Sequence, residues 1–244
     1  MLNGKLVLAV VPARGGSKGL PGKNLKKVCG RSLVEWAIAT AMQCPEVDVC
    51  LLSTDSEAIV KAAERVGLSE SYRRPIDLSG DRVSDVQVLA HAVRWFEERS
   101  GQEVGCVVML QPTSPLRRVE EISAGLRMLE SGNYDSIWSV SEVDLKYHPL
   151  KQLSSSEDLL AYHSPEGSQV IARQQLEPTL IRNGLFYVAD RNVILELGAL
   201  LGERCGFFKV DRPTVSIDDL DDLKLARRLF RDTIRSEEDR SPAS

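Results

Sequence analysis

The chain has 244 residues, 43% of them hydrophobic and 27% charged, which is typical of one soluble globular domain with a sizeable core. Its net charge of −4 and its 5% aromatic content argue against a protein that binds nucleic acid through a basic surface. The five cysteines are scattered, and the early apolar run is too short to cross a bilayer. We therefore expect a cytoplasmic protein with reduced thiols, no zinc site, no signal peptide and no membrane partner.

The first predicted element is a buried strand over residues 6–11, which leads into a loop that ends at Asn24. This loop contains Gly15, Gly16, Gly19, Gly22, Arg14, Lys18 and Lys23, and no acidic residue precedes Arg31. Glycines let the backbone approach a ligand, and exposed N–H groups with added cations can cradle an anion. The loop has neither P-loop spacing nor a Gly-x-Gly-x-x-Gly pattern, so it predicts either a different phosphate site or a solvated turn.

Strands and helices alternate in the next part of the chain. Ser32-Leu-Val-Glu35 is a capping box that begins a helix, and residues 47–53 form a second apolar strand. Asp55 or Ser56 begins the next helix, which Gly67 ends. Further strands are predicted over 104–110 and 135–140. The alternation predicts an α/β fold with a doubly wound, mostly parallel sheet and a ligand at the carboxyl ends of its strands.

Two loops stand out between these elements. Residues 72–84 contain proline and glycine, and Ser84 with Gln87 has the pattern of a helix cap. The prolines of Gln111-Pro-Thr-Ser-Pro-Leu-Arg117 fix a turn after a buried strand, where side chains either face the site or serve as a rigid connector. His91 lies close to the apolar stripe of its helix and is predicted to be packed rather than to bind a ligand.

The pattern changes after residue 142. Residues 142–168 are polar and have no helical period, which predicts an excursion from the main sheet. Residues 215–223 form an acidic loop that opens a long helix, and its carboxylates either cap that helix or bind Mg²⁺. Residues 236–244 are predicted to be a frayed polar tail.

Three segments resemble one known family: Pro-Ala-Arg-Gly-Gly-Ser-Lys-Gly-Leu-Pro-Gly-Lys-Asn (12–24), the 111–117 run, and Asn183-Gly-Leu-Phe-Tyr187. They are similar to the acylneuraminate cytidylyltransferases, or CMP-sialic acid synthetases, and the resemblance covers residues 5–232. It implies a single Rossmann-like nucleotidyltransferase domain over 1–235, with a small β-rich dimerisation flap over 142–180. It also implies a Mg²⁺-dependent homodimer that joins CTP to a sialic-type nonulosonic acid and releases pyrophosphate.

The resemblance also implies roles for individual residues. The expected nucleotide-binding residues are Ala13, Arg14, Gly15, Ser17, Lys23, Asn24, Arg74 and Ser84. The expected sugar-binding residues are Gln111, Tyr187, Phe207 and Phe208, with Lys151 and Arg173 reaching across the dimer; in the family the glutamine contacts either the sugar or the ribose. Arg14, Lys23 and Asp218 are the expected catalytic residues. Asp218 and Asp219 are the expected metal ligands, although Leu220 occupies the position of the family's second aspartate.

Each of these roles has a simpler alternative. Tyr187, Phe207 and Phe208 could simply be core residues. Lys151 and Arg173 could be solvated surface cations, and Ser84 could be only the cap of the helix that follows it. Other readings of the function also stay open. The same chemistry could act on legionaminic, pseudaminic or 3-deoxy-octulosonic acid, and the altered acidic loop fits a catalytically inactive CTP-binding module.

Overall fold

The apolar runs of the sequence form a central sheet in the computed structural model, which describes residues 4–238. The strands are β1 (Leu6–Pro12), β2 (Lys27–Val28), β3 (Arg31–Ser32), β4 (Val49–Thr54), β5 (Ser71–Arg73), β6 (Val104–Met109), β7 (Ser136–Glu142), β8 (Leu153–Ser156), β9 (Leu159–Tyr162), β10 (Leu180–Asp190) and β11 (Cys205–Lys209). The α-helices are α1 (Leu33–Gln43), α2 (Glu57–Glu64), α3 (Asp85–Ser100), α4 (Val119–Glu130), α5 (Arg191–Leu195) and α6 (Leu220–Glu238).

Seven strands make one sheet in the order β11-β7-β10-β6-β1-β4-β5. All of them run parallel except β10, which is antiparallel to its neighbours β6 and β7. Helices α1, α2 and α4 cover one face of the sheet, and α3 and α5 cover the other. The doubly wound, mostly parallel sheet predicted from the sequence is therefore confirmed.

The first residues of the helices show how local sequence determines where a helix begins. Ser32 and Ser84 both form complete capping boxes, as their spacing to Glu35 and Gln87 predicts. The start of α2 differs, because Ser56 is the cap residue but makes no side-chain capping bond. Helix α6 packs back onto α1 through a Trp36–Phe230 ring pair with centroids 4.8 Å apart.

Between β7 and β10 the chain leaves the sheet and forms short 3-10 turns and the antiparallel hairpin β8–β9. Every residue of both hairpin strands is exposed. At the other end of the chain, α6 continues through residues 236–238 of the predicted tail, and residues 239–244 lie outside the described residues. No helix within residues 4–238 is long and apolar enough to span a bilayer.

Candidate active site

The cationic loop, which we define as residues 13–24, leaves the carboxyl end of β1 and is fixed at both of its ends. The Ala13 N–H donates to the Ser53 carbonyl of β4 at 2.9 Å. The Asn24 side-chain amide donates back to the Arg14 carbonyl at 2.9 Å, and Asn24 itself is buried. Hydrogen bonds therefore fix the conformation of the loop at both ends, unlike that of a solvated turn.

Two glycines of the cationic loop are required by close approach. The Gly15 N–H donates to Asp55 Oδ1 at 2.7 Å, and a Cβ at Gly15 would lie 2.9 Å from the Ser56 Cβ. A Cβ at Gly19 would lie 2.9 Å from the Asp218 carbonyl oxygen. Side chains at these positions would push the loop away from the end of β4 and from the acidic loop.

Each cation of the cationic loop faces a carboxylate from another part of the chain. Arg14 Nη1 lies 2.6 Å from Asp81 Oδ1, and Lys18 Nζ lies 2.5 Å from Asp81 Oδ2. Lys23 Nζ lies 2.8 Å from Asp218 Oδ1. Hydrogen bonds from Lys18 and Arg14 lower the pKa of the Asp81 carboxyl. Two of these cations, Arg14 and Lys23, lie beside one opening.

That opening is a cavity of about 250 Å³, with Ser17, Lys23 and Asn24 in one part of its wall and Arg74 and Gln111 in another. Arg74 is buried, and its Nε and Nη2 atoms find no hydrogen-bond partner within residues 4–238. Burial lowers the pKa of its guanidinium. A buried cation with free donors is costly unless a ligand supplies acceptors, so Arg74 is a strong candidate for ligand recognition.

Ser84 serves as the cap of α3. Its hydroxyl accepts from the Gln87 N–H at 3.3 Å and donates to Gln87 Oε1 at 3.0 Å. The neighbouring cavity wall consists of Val83 and Asp85. The capping alternative therefore accounts for the Ser84 hydroxyl, and its expected contact with the nucleotide stays a prediction.

The 111–117 turn is anchored to β10. Ser114 Oγ donates to the Asn183 carbonyl at 3.3 Å, and Arg117 Nε donates to the Leu185 carbonyl at 2.7 Å. Arg117 also donates to the Gln111 carbonyl, and burial lowers its pKa to about 9. This buried arginine holds the turn in place, and Gln111 is thereby fixed in the cavity wall.

The predicted sugar-binding aromatics do not act as one group. Tyr187 is buried in the sheet and meets Trp138 edge-on at a centroid distance of 5.0 Å. Phe207 and Phe208 are neighbours on β11, so their rings point to opposite faces of the sheet. Phe207 is exposed, whereas Phe208 packs on Phe186 in the core. The alternation of side chains along β11 therefore separates the two rings, and the expected contacts of Phe207 and Phe208 with a sugar stay predictions.

The acidic loop lies beside the cationic loop. The Ile217 N–H donates to the Thr113 carbonyl at 2.8 Å, and Thr113 also lines the cavity. Asp218 follows with an exposed side chain that contacts only Lys23 among the ion pairs of the described residues. Its carboxylate is therefore available at the cavity edge.

Asp219 is engaged differently. Its Oδ1 accepts from the N–H groups of Asp221 at 2.8 Å and Asp222 at 3.0 Å, so it caps α6. Asp222 Oδ2 in turn accepts hydrogen bonds from the N–H groups of Asp218 and Asp219. Within residues 4–238 no group of three or more His, Cys, Asp or Glu side chains is placed to hold a metal ion. A metal here would have to share Asp218 with a ligand's oxygens.

The structure does not bring Lys151 or Arg173 to this cavity. Both are exposed and lie on 3-10 turns of the excursion between β7 and β10. Any contact that they make with a substrate would have to be in a second copy of the chain. His91, predicted to be packed, stacks on Tyr72 with centroids 5.5 Å apart.

Sequence reasoning missed three carboxylates of the site: Asp55, Asp81 and Asp85. Asp55 was available as a helix cap but instead accepts from the cationic loop. Asp81 pairs with two of that loop's cations, and Asp85 accepts from Gln111 Nε2 at 3.0 Å. Asp55 carried a signal in the sequence, since it follows a buried strand at the edge where ligands bind, and Asp81 carried one as the first residue of the family's Asp-x-x-Ser motif.

Comparisons with known proteins identify the family of the chain. The chain matches the family model described as Cytidylyltransferase over residues 8–228. It is 30% identical over 190 residues to the CMP-N,N'-diacetyllegionaminic acid synthase of Legionella pneumophila, which covers 78% of this chain and 80% of that protein. It is 28% identical over 238 residues to an N-acylneuraminate cytidylyltransferase of Streptococcus agalactiae, covering 96% of this chain but only 56% of that longer protein.

A solved structure of CMP:2-keto-3-deoxy-manno-octonic acid synthetase in complex with CTP shares the fold, with a TM-score of 0.70 and 18% identity. The match covers 93% of this chain and 99% of that one. The family model and the Legionella and Streptococcus relatives confirm the resemblance to acylneuraminate cytidylyltransferases that the motifs carry. With this sheet, this cavity and a family match that spans nearly the whole fold, the chain belongs to the cytidylyltransferase family.

Proposed function

We propose that this protein transfers a cytidylyl group from CTP to the anomeric hydroxyl of a nonulosonic acid. The sugar oxygen attacks the α-phosphorus, the bond from that phosphorus to the β-phosphate oxygen breaks, and pyrophosphate leaves. The observation that carries the proposal is the buried Arg74, which lines the same cavity as Arg14 and Lys23 and whose Nε and Nη2 donors have no partner within residues 4–238. One ligand that needs both is a nucleotide whose base offers acceptors and whose tail is anionic.

The cationic loop is suited to the phosphates. Arg14, Ser17 and Lys23 all line the cavity. Their donors would hold the triphosphate and offset the charge that grows on the leaving pyrophosphate, which is the main protein contribution in reactions of this type. The fixed backbone around Ala13 and Gly15 presents the loop without further ordering. Cytosine offers O2 and N3 as acceptors, which matches the free donors of Arg74.

The sugar acid would bind on the side of Gln111 and Tyr187. Gln111 lies in the cavity wall, and Tyr187 is on β10, paired with Met109 of the neighbouring strand β6. Phe207 is exposed and shares its sheet face with Trp138, so it remains a candidate for an acylamino group. The Legionella relative favours one specific alternative, a legionaminic-type acid rather than a sialic acid.

Mg²⁺ is the cofactor that we propose, with Asp218 as the protein ligand. The exposed carboxylate fits a hard cation that takes the remainder of its ligands from phosphates and water. Asp219 fits less well, because one of its oxygens is committed to the cap of α6. When bound, the ion would neutralise phosphate charge and make the attacking hydroxyl more acidic. Lys23 would then move from Asp218 to the phosphates.

We also propose that the protein works as a cytoplasmic homodimer. Leu159 and Leu160 are 75% and 72% exposed on the β8–β9 hairpin, an apolar arm that a partner subunit would cover. Lys151 and Arg173 lie on the same excursion and would reach the partner's sugar site. The five free cysteines fit a reducing compartment.

A pyrophosphate-release assay with CTP tests the proposed function. The panel contains N-acetylneuraminic, diacetyllegionaminic, pseudaminic and 3-deoxy-octulosonic acids. We expect release with at least one nonulosonic acid and none without sugar. No release with any sugar, despite tight binding of CTP, would leave the inactive CTP-binding module as the better reading.

Two further measurements test the finer proposals. EDTA is expected to abolish turnover and added Mg²⁺ to restore it, so full activity in EDTA would remove the metal from the proposal. Light scattering is expected to show a dimer, and L160E on the hairpin is expected to give monomers. The control is L201E, since Leu201 is also exposed but lies outside the excursion. An active wild-type monomer would contradict the roles given to Lys151 and Arg173.

A further inference from the structure

A second cavity, of about 500 Å³, lies outside the catalytic cavity, and neither the motifs nor the proposed function uses it. Helix α1 contributes Trp36 to its wall, and α6 contributes Phe230. Much of the remaining wall is the segment 115–120, which joins the 111–117 turn to the first turn of α4. We call it the α1–α4–α6 cavity. Its volume lies within the range of about 300–1,000 Å³ that is typical of small-molecule sites.

The buried side chain of Arg117 lines this cavity and has an unused hydrogen-bond donor. Its Nε and Nη2 atoms donate to the carbonyls of Leu185 and Gln111, whereas Nη1 has no partner among the described residues. The carboxylate whose charge acts on Arg117 is Glu121, and Arg212 already binds both of its oxygens, at 2.9 and 2.7 Å. A buried guanidinium with a free donor is costly, so an acceptor brought by a ligand would stabilise it.

The start of α4 makes the same part of the wall more positive. The first N–H groups of a helix have no partner within it, and the cap residue Arg118 cannot accept from them, because a guanidinium only donates. Arg118 and Glu120 are both exposed and line the cavity, so their charges offset each other. Arg212 is likewise offset by Glu121. The net charge of this wall is therefore the single positive charge of Arg117.

The aromatic wall of the cavity determines what the rest of a ligand must be. Trp36 and Phe230 are half-buried, and their ring centroids lie 4.8 Å apart. The indole N–H of Trp36 already donates to the Val28 carbonyl at 2.8 Å, so this wall offers apolar ring surface. A fitting ligand has an anionic group at one end and an apolar ring at the other. A carboxylate carries one negative charge, which balances the wall, whereas a phosphate group carries nearly two.

We propose that the α1–α4–α6 cavity binds a small carboxylate that carries an apolar ring, with the carboxylate at Arg117 and the start of α4, and the ring against Trp36 and Phe230. Because Nη1 is covered, the ligand reaches it through a local shift of the wall. Arg117 also holds the Gln111 carbonyl, so the bound ligand contacts the turn that forms part of the catalytic cavity. This site goes beyond the proposed function, since it requires neither CTP nor turnover.

The test uses benzoate as the probe and follows the indole N–H signals of the three tryptophans in ¹H–¹⁵N spectra of the whole chain. W36F assigns the signal of Trp36. We expect this signal to shift in a saturable way with a Kd on the order of 1 mM, while those of Trp95 and Trp138, outside the cavity wall, stay in place. Benzamide has the same shape without the charge and is expected to bind at least ~10-fold more weakly.

Two charge reversals locate the binding site. R118E changes an exposed residue of the wall and is expected to weaken benzoate binding about three- to tenfold. R94E is the matched control, because Arg94 is exposed on α3, which covers the other face of the sheet, and it is expected to leave the affinity unchanged. R117A is expected to abolish binding, and R118E decides the question if R117A does not fold.

Four results would overturn the inference. They are the absence of a saturable shift of the Trp36 signal, equal binding of benzamide, an equal loss of affinity in R118E and R94E, and equal affinity for inorganic phosphate, which would contradict the assigned ligand class. Because no measurement involves CTP, each of these results would leave the proposed function untouched.

Discussion

Replacement of Lys23 by alanine separates a catalytic role for this lysine from a structural one. Lys23 Nζ lies 2.8 Å from Asp218, and the side chains of the two residues are 16% and 78% exposed. An ion pair with one solvated partner contributes at most about 1 kcal/mol to the free energy of unfolding. We therefore expect K23A to lower stability only slightly.

The expected loss in turnover is larger. A cation held in place for the leaving pyrophosphate acts like other preorganised electrostatic groups, whose removal costs about 2.7–4 kcal/mol in the transition state. That range corresponds to a decrease of about 10²- to 10³-fold in kcat. Because this exceeds the stability change, K23A should be folded at the assay temperature but nearly inactive.

The assay is pyrophosphate release at saturating CTP, with urea unfolding of the same preparation. Lys27→Ala is the control, since Lys27 is a nearby exposed lysine outside the cavity wall, and it should keep normal turnover. A K23A variant within about threefold of wild-type kcat would refute the reasoning. An equal loss in both variants would show that general positive charge, rather than the position of Lys23, is what matters.

Three other changes have defined outcomes. D81N should bind CTP more tightly than wild type in calorimetry, because Asp81 competes with phosphates for Arg14 and Lys18, and weaker binding would contradict this role. In urea unfolding, G198A should lower the free energy of unfolding by about 1–2 kcal/mol, because Gly198 has a φ of +61° and open space around it. G184A should lower it by more, because Gly184 has a φ of +73° and an added Cβ would also lie 2.6 Å from Ser114 Oγ. Arg191 holds the pKa of Glu97 below its usual range, so the stability from this pair is present above about pH 4.3 and is lost as the pH falls through the lowered pKa. E97Q should therefore lose about 1–2 kcal/mol in urea unfolding at pH 7, and a loss of the same size near pH 3 would contradict the ionic origin.

The sequence predicted the fold well because its signals are local. A capping box needs two residues three apart, and a buried strand needs only a short apolar run, so the starts of α1 and α3 and the course of β1 and β6 could be read directly. The cationic loop could be predicted for the same reason. Its glycines and cations lie within one short segment that follows a strand.

The carboxylates of the site could not be predicted, because each is defined by a distant partner. Asp81 is 67 residues from Arg14, and Asp218 is 195 residues from Lys23. The local sequence predicts Asp55 as a helix cap, and only the folded chain shows that its carboxylate accepts a hydrogen bond from the Gly15 N–H. Phe207 and Phe208 are a different case. Alternation along a strand would have separated them, had the segment first been recognised as β11.

The pairing of the loop's cations with Asp81 and Asp218 also affects which anions reach the cavity. A bare patch of three cations would attract any polyanion, and that attraction would depend steeply on ionic strength. Here the two carboxylates neutralise much of that patch at short range. Because an entering anion must displace these carboxylates from the cations, we expect oligonucleotides to be attracted more weakly, and with less dependence on ionic strength, than three unpaired cations would cause.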